Sequence, residues 1–134
     1  VQVTIVYTSP KSERGAQEAA SKISALNNGS QAIVVRADLR DVAAPAKIVA
    51  STVEAFGDKI DILVNNAGVL FPRTILETTA DDFAAIFDVN VRAPLLMTKA
   101  VVPHLRAPGR ISTSILDTTC SRSRDVAKLL DKLR

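Results

Sequence analysis

The residues of this chain best suited to chemistry stand at four places, three of them just after short apolar runs and one on a helical face. The first is Tyr7-Thr8-Ser9-Pro10-Lys11, where hydroxyls and an ammonium, with no acid among them, suit an anion such as a phosphate. The second is Asp38 in Arg36-Ala37-Asp38-Leu39, a carboxylate placed to accept hydrogen bonds from an amine or hydroxyl. The third is Asn65-Asn66-Ala67-Gly68. Its amides can tie neighbouring strands together, and its small residues let a backbone approach another group closely. The fourth is Asn90 in Asp88-Val89-Asn90-Val91, three and four residues beyond Phe87 and Ile86 and so on the buried side of its helix. A buried amide needs partners, because leaving it unpaired costs about 1–3 kcal/mol. Blander readings fit too: an ordinary Ser-Pro turn with a solvated Lys11, and a plain polar turn at 65–68. His104 reads as a residue near a helix C-terminus, where positive charge is favourable. Cys120, with no His beside it, reads as an unactivated thiol.

The elements that must position these residues follow from hydrophobic periodicity. Residues 2–7 are a β-branched run and read as a strand. Ser12 is the expected cap of a helix whose face is Ala16, Ala19, Ala20, Ile23 and Leu26, stopped by Asn27-Asn28-Gly29. Ala32-Ile33-Val34-Val35 suits a strand buried on both faces. Asp41 is the expected cap of a second helix, with Val49, Thr52, Val53 and Phe56 on one face and Gly57 closing it. Residues 60–64 read as a third strand. A long helical stretch over 80–105 carries Phe83, Ile86 and Phe87 on one side, and Pro94 and Pro103 should bend or divide it. Pro108-Gly109 turns into a fourth strand over 110–115, and 123–133 reads as a short basic helix. Strands alternating with helices imply an α/β fold, a doubly wound parallel sheet of about four strands with flanking helices. Ligands of such sheets bind beyond the carboxyl ends of the strands, where the first three groups above lie.

Composition limits the alternatives. The chain has 134 residues, a length suited to one domain, with 47% apolar and 23% charged residues, which excludes intrinsic disorder. Aromatics are 4%, so Val, Ile, Leu and Ala must build the core. No apolar run approaches the roughly 18 residues of a membrane span. One cysteine excludes an internal disulfide framework or a multi-cysteine metal site, and no metal is expected. A lone thiol and the lack of a secretion leader point to the cytoplasm. The chain begins Val1-Gln2-Val3, as though within a domain. Its net charge of +3 resides in 119–134, where Arg122, Arg124, Lys128, Lys132 and Arg134 face Asp125 and Asp131. No aromatics interleave with these cations, so a solvated helix face is expected rather than a nucleic-acid or membrane surface.

Taken in order, these segments resemble the short-chain dehydrogenases/reductases. The likeness rests on Val3–Tyr7, Asp38-Leu39, Asp61-Ile62-Leu63-Val64-Asn65-Asn66-Ala67-Gly68, Asp88-Val89-Asn90-Val91, and Pro103-His104-Leu105 leading to Gly109-Arg110-Ile111. It implies a Rossmann-type core over 1–111, with 112–134 a divergent basic tail and not a separate domain. It further implies a nicotinamide dinucleotide and hydride transfer between an alcohol and a ketone or aldehyde. Under the resemblance Asp38 contacts the adenine, while Asn66, Ala67 and Gly68 border the cofactor. Asn90 is the active-site amide that holds a water in a proton relay. Thr8, Ser9 and Lys11 would meet a 2′-phosphate, so NADP is the expected cofactor, with NAD still open.

Two of the family's parts do not appear. The Gly-rich phosphate loop, T-G-x-x-x-G-x-G, has no counterpart among Gly15, Gly29, Gly57, Gly68 and Gly109. The family's first strand would precede Val1 and lie between the strands at 2–7 and 60–65, so a gap of about two strand spacings (~10 Å) is expected there. Direct pairing of those two strands is the alternative. The Tyr-x-x-x-Lys proton donor is also missing, since Tyr7 is the sole tyrosine and a gapless count puts the pair at Leu129 and Leu133, and the Ser at Leu116. Ser112 and Ser114 do not match the Ser position. The expectation is an oxidoreductase of the family that is inactive as this chain alone and binds NADP weakly or not at all. Its substrate would be a small carbonyl or alcohol. The alternative is a non-enzymatic fragment that associates with a complete relative through the helix over 80–105, using Ala93, Leu95, Leu96 and Ala100. A phospho-relay domain is disfavoured by the lack of an acidic cluster at the strand ends.

Overall fold

The β-branched run at the start of the chain forms β1 (Gln2–Tyr7) and pairs in parallel with β2 (Gln31–Arg36), Gln2 opposite Gln31 and Tyr7 opposite Arg36. The coordinates are a computed structural model that describes residues 1–114. The helix expected over 123–133, Cys120 and the positions counted for Ser, Tyr and Lys lie outside the described residues. α1 (Pro10–Ser24) joins the first two strands and buries Ala16 and Ala20. Its N-cap is Ser9, not the expected Ser12. Pro10 has its φ fixed near the helical value and lacks an N–H that would go unpaired there, so the helix starts at Pro10. Ser12 falls inside the first turn, its hydroxyl 3.0 Å from that of Ser9.

α2 (Ala44–Phe56) also starts later than its expected cap. Its N-cap is Ala43, and Asp41 holds the preceding turn by accepting the Ala43 N–H at 2.9 Å. Gly57 closes the helix at φ 90, a backbone conformation that disfavours side chains. β3 (Ile60–Asn65) follows and pairs in parallel with β4 (Leu105–Thr113). The fourth strand therefore begins at Leu105, ahead of the expected Arg110. Register passes from Ile60 opposite Leu105 to Ile62 opposite Arg110, so Pro108, which has no N–H for the ladder, sits in a bulge. Gly109 is sterically required in that bulge, because a Cβ would fall on Leu105 Cγ and 2.5 Å from the Arg106 carbonyl oxygen.

The stretch expected as one helix over 80–105 is divided as its prolines require. α3 (Ala80–Phe87) begins with a capping box in which the Thr79 hydroxyl accepts the Asp82 N–H and the Asp82 carboxylate accepts the Thr79 N–H. A π turn over Asp88–Arg92 leads into α4 (Ala93–Val101), and a 3-10 turn over Val102–His104 holds Pro103. Pro94 has no N–H to donate to the carbonyl of Asn90 four residues earlier, which accounts for the widened turn before it.

The four strands do not form one sheet. β1–β2 and β3–β4 are separate two-stranded parallel sheets, and β1 does not pair with β3. Direct pairing of those two strands, the alternative expected, does not occur. What joins the halves is a helix layer: Val35, Ala37, Ile48, Val49, Met97 and Val101 form one core cluster that takes side chains from β2, the turn after it, α2 and α4. Val6, Ile62, Val64 and Ile111 stay open to solvent on the strands. The long helical stretch also differs from expectation in what it exposes. Ala93 is 1% exposed and Ala100 packs on the core, so neither is free for a partner. Phe83, Phe87, Val91 and Leu95, four residues apart, form the exposed apolar stripe, with the Phe83 and Phe87 rings stacked at 4.2 Å.

Candidate functional site

Three strand ends place the sequence-derived residues. Thr8 and Ser9 follow β1, Lys11 lies in the first turn of α1, and all belong to the turn beyond the β1 carboxyl end. Asp38 follows β2, and Asn66-Ala67-Gly68 follow β3. The β2 and β3 ends lie together: a void of only about 10 Å³ is lined by Leu39, Asn65, Ala67, Val89, Ala93 and Met97, among others. A wider concavity, about 780 Å³, lies elsewhere. It borders Gly29, Gln31 and Phe56 at the opposite end of β2 and touches none of the strand-end residues.

Asn90 is held at both ends of its amide. Its Oδ1 accepts the Val69 N–H at 2.8 Å and its Nδ2 donates to the Val69 carbonyl at 2.9 Å. One side-chain amide thus satisfies both backbone groups of the residue directly after Gly68. It pins the post-β3 loop to the π turn, and a carboxylate or a hydrocarbon could not do both jobs. One N–H and one lone pair of the amide remain for another partner. The partner demand anticipated for Asn90 is met by backbone, which the sequence did not identify.

The strand-tying amide is Asn65 rather than Asn66. Asn65 is buried, its Nδ2 lies 3.4 Å from the Thr113 hydroxyl, and its carbonyl accepts the Ser114 N–H at 2.9 Å. Asn66 and Ala67 are exposed and Gly68 is half-buried, a placement open to a ligand. The first residue of the motif is thus structural, whereas Asn66 is exposed.

Asp38 is committed within its own loop. Arg40 Nη2 lies 2.6 Å from Oδ2, Arg40 Nε is 3.1 Å from each carboxylate oxygen, and the Arg40 N–H donates to Oδ1 at 3.0 Å. These hydrogen bonds, the side-chain ones first, hold the Asp38 carboxyl below its ordinary value of 3.8. The loop is tied in turn to the Asn90 helix. Arg92 Nη2 donates to the Arg40 carbonyl at 2.8 Å, and Arg92 Nη1 meets Asp88 Oδ1 at 2.8 Å. Sequence reasoning missed Arg40 and Arg92, and it left open which of Asn65 and Asn66 ties the strands. The i,i+4 spacing of Asp88 and Arg92 was a visible signal for the ion pair, but nothing local pointed to the contact with Arg40. His104 has a plain structural partner: its Nδ1 lies 2.6 Å from Asp58 Oδ1, in the loop before β3. No group of His, Cys, Asp and Glu able to hold a metal ion occurs among the described residues, and no helix there is long and apolar enough to cross a membrane.

Comparison with known proteins follows the same outline. The family profile described as short chain dehydrogenase matches residues 2–126, running past Ile111. Dehydrogenase OXI1 of Cochliobolus heterostrophus is 46% identical over 110 residues, which are 82% of this chain and 47% of that protein. Versicolorin reductase 1 of Aspergillus parasiticus is 33% identical over 116 residues, 87% of this chain and 43% of that protein. The chain spans about half the length of these curated relatives. Among solved structures, a short chain dehydrogenase from Burkholderia cenocepacia in complex with NADP superposes with a TM-score of 0.78 at 36% identity, covering 98% of this chain and 53% of that one. A blue fluorescent protein from a metagenomic library, in complex with NADPH, gives 0.78 at 29% identity over 84% of this chain and 44% of that one.

Two outcomes test this geometry. Asn90→Ala leaves the Val69 N–H and carbonyl without their partner, so the expected loss of stability in urea denaturation is about 1–3 kcal/mol. Faster hydrogen exchange at the Val69 amide should accompany it, and unchanged exchange would contradict the pairing. Asp38 has a depressed folded pKa, so its contribution to stability is present above the unfolded value, near 3.8, and fades as pH falls through the folded one. Carboxyl NMR should therefore show Asp38 titrating below the usual carboxylate range, with Arg40→Ala moving its midpoint upward.

Proposed function

Because the chain belongs to the short-chain dehydrogenase/reductase family, we propose that it carries the nucleotide-facing core, residues 1–111, of an NADP-linked oxidoreductase. The whole protein's reaction would interconvert a ketone or aldehyde and an alcohol in the cytoplasm. The observation that carries this reading is the Asn90 amide clasped to Val69, directly beside the outward-facing Asn66-Ala67-Gly68 turn. NADP is favoured over NAD by Thr8, Ser9 and Lys11, which put hydroxyls and a cation where an acid would otherwise meet a ribose. The Burkholderia and metagenomic neighbours named above, which hold NADP and NADPH, support the same choice.

The fit of a dinucleotide to this chain differs from end to end. At the adenine end the donor set suits it: Lys11 and the hydroxyls for a 2′-phosphate, Asp38 for the adenine amine. At the pyrophosphate it does not, since no two glycines of the chain lie close enough to expose a cradle of backbone N–H groups. When bound, the nicotinamide supplies or accepts a hydride. The chain's own residues would orient the nucleotide through Asn66-Ala67-Gly68 and, at Asn90, use the remaining N–H or lone pair to hold a water that moves a proton. The phenol that would deliver that proton to a substrate oxygen has no counterpart here, because Tyr7 ends β1 beside Thr8. Residues 112–134 are read as a divergent basic tail to this core.

A second reading is favoured by the apolar stripe of Phe83, Phe87, Val91 and Leu95. It has this chain associate, without catalysis of its own, with a complete relative or a second copy. Titration with NADPH, followed by nucleotide fluorescence alongside a thermal melt, should show weak binding at most and negligible turnover of any ketone. Steady reduction by the purified chain would refute that expectation. For the second reading, native mass measurement of the chain alone and after mixing with a complete relative should show a homodimer or a mixed complex that is lost in Phe87→Glu, and the absence of both would reject association.

A further inference from the structure

We infer that Arg92 is a positioning residue that couples the Asp38 loop to Asn90, so that the nucleotide end and the proton-handling end of the site move together. The inference rests on the nucleotide reading above for its purpose, but its geometry stands by itself. Asp38 lies in the loop after β2 and Asn90 in the π turn, an entire crossover apart, and no strand pairing joins β1–β2 to β3–β4. Across that junction Arg92 makes the one side-chain hydrogen bond from the π turn to the β2 end among the described residues, Nη2 to the Arg40 carbonyl at 2.8 Å. Its other terminal nitrogen, Nη1, is held 2.8 Å from Asp88 Oδ1, so the guanidinium is fixed to the π turn that carries Asn90. Nε of the same side chain is buried without a hydrogen-bond partner, which leaves the two terminal nitrogens to do the holding.

The far side of the connection is equally constrained. The residue whose carbonyl Arg92 grips is Arg40, and Arg40 is bound through both its backbone N–H and its guanidinium to the Asp38 carboxylate. A group that drew the Asp38 carboxylate away from Arg40 would release the Arg40 backbone and change what Arg92 holds. The displacement would pass to the π turn and so to the Asn90–Val69 clasp. A guanidinium is suited to this because its donors form a planar fork that can hold a carboxylate and a carbonyl at once in fixed relative directions. An ammonium is a single centre and does not fix both.

The test uses the full chain without nucleotide and reads the side-chain amide NMR signals of Asn90. In the wild-type background, Asp38→Ala should shift the Asn90 cross-peaks and speed exchange at the Val69 amide. Arg40→Ala, a change at an exposed side chain, should do the same and covers the case in which Asp38→Ala does not fold. In Arg92→Met the same two changes should leave the Asn90 signals where Arg92→Met alone puts them. Arg92→Lys keeps the positive charge beside Asp88 and should nevertheless behave as Arg92→Met. If the shifts persist in Arg92→Met, or if Arg92→Lys transmits them as wild type does, the assignment is overturned, and Arg92 is only a helix ion pair. Failure of NADPH to bind with the coupling intact would instead count against the nucleotide reading, because no nucleotide enters this measurement.

Discussion

Two parallel strand pairs that do not touch each other through hydrogen bonds must still present their carboxyl ends together, and in this molecule a helix–helix contact does it. α2 leaves β2 and α4 precedes β4, so packing of Ile48 and Val49 against Met97 and Val101 sets the separation of the two sheets. Backbone ladders are directional and enforce register, whereas apolar packing is non-directional and tolerates sliding. The junction therefore needs polar contacts at its upper edge to fix its angle, and these are where the candidate site lies.

Those contacts share a logic. At Asn90, a neutral side chain replaces a missing backbone rung by pairing with both polar groups of Val69. At Arg92, a charged side chain spans from the π turn to the Arg40 carbonyl. The π turn itself places both, because inserting an extra residue before Pro94 rotates Asn90 and Arg92 relative to the helix that follows. The irregular segment is thus where the site's most constrained side chains originate. The loop beyond it, Asp38 to Arg40, is stiffened by a carboxylate with nearly all its acceptor capacity used, so any ligand for Asp38 has to compete with Arg40.

The sequence was informative where physics is local. Alternation and β-branching marked β1, β2 and β3 almost to the residue, since these strands consist of little else. It was less informative at boundaries: Ser12 and Asp41 are good capping residues, but Pro10 and the Asp41 turn moved each helix start. Pro94 and Pro103 correctly announced interruptions, yet proline chemistry alone does not specify a π turn or a 3-10 turn. Leu105–Gly109 was misread because a Pro-Gly pair signals a turn, and the bulged pairing that keeps it in β4 depends on β3, more than 40 positions away.

What the sequence alone determined, then, is the order of β and α units, the absence of a glycine cradle and of a tyrosine–lysine pair, and the residue types available at each strand end. These follow from periodicity and composition, which need no knowledge of distant neighbours. Only the tertiary structure decided that Asn90 spends its amide on Val69, that Asn65 and not Asn66 ties the strands, and that Arg92 reaches Arg40. Each of those is a contact between segments far apart in the chain, set by how α2 and α4 pack, and no local pattern encodes that packing.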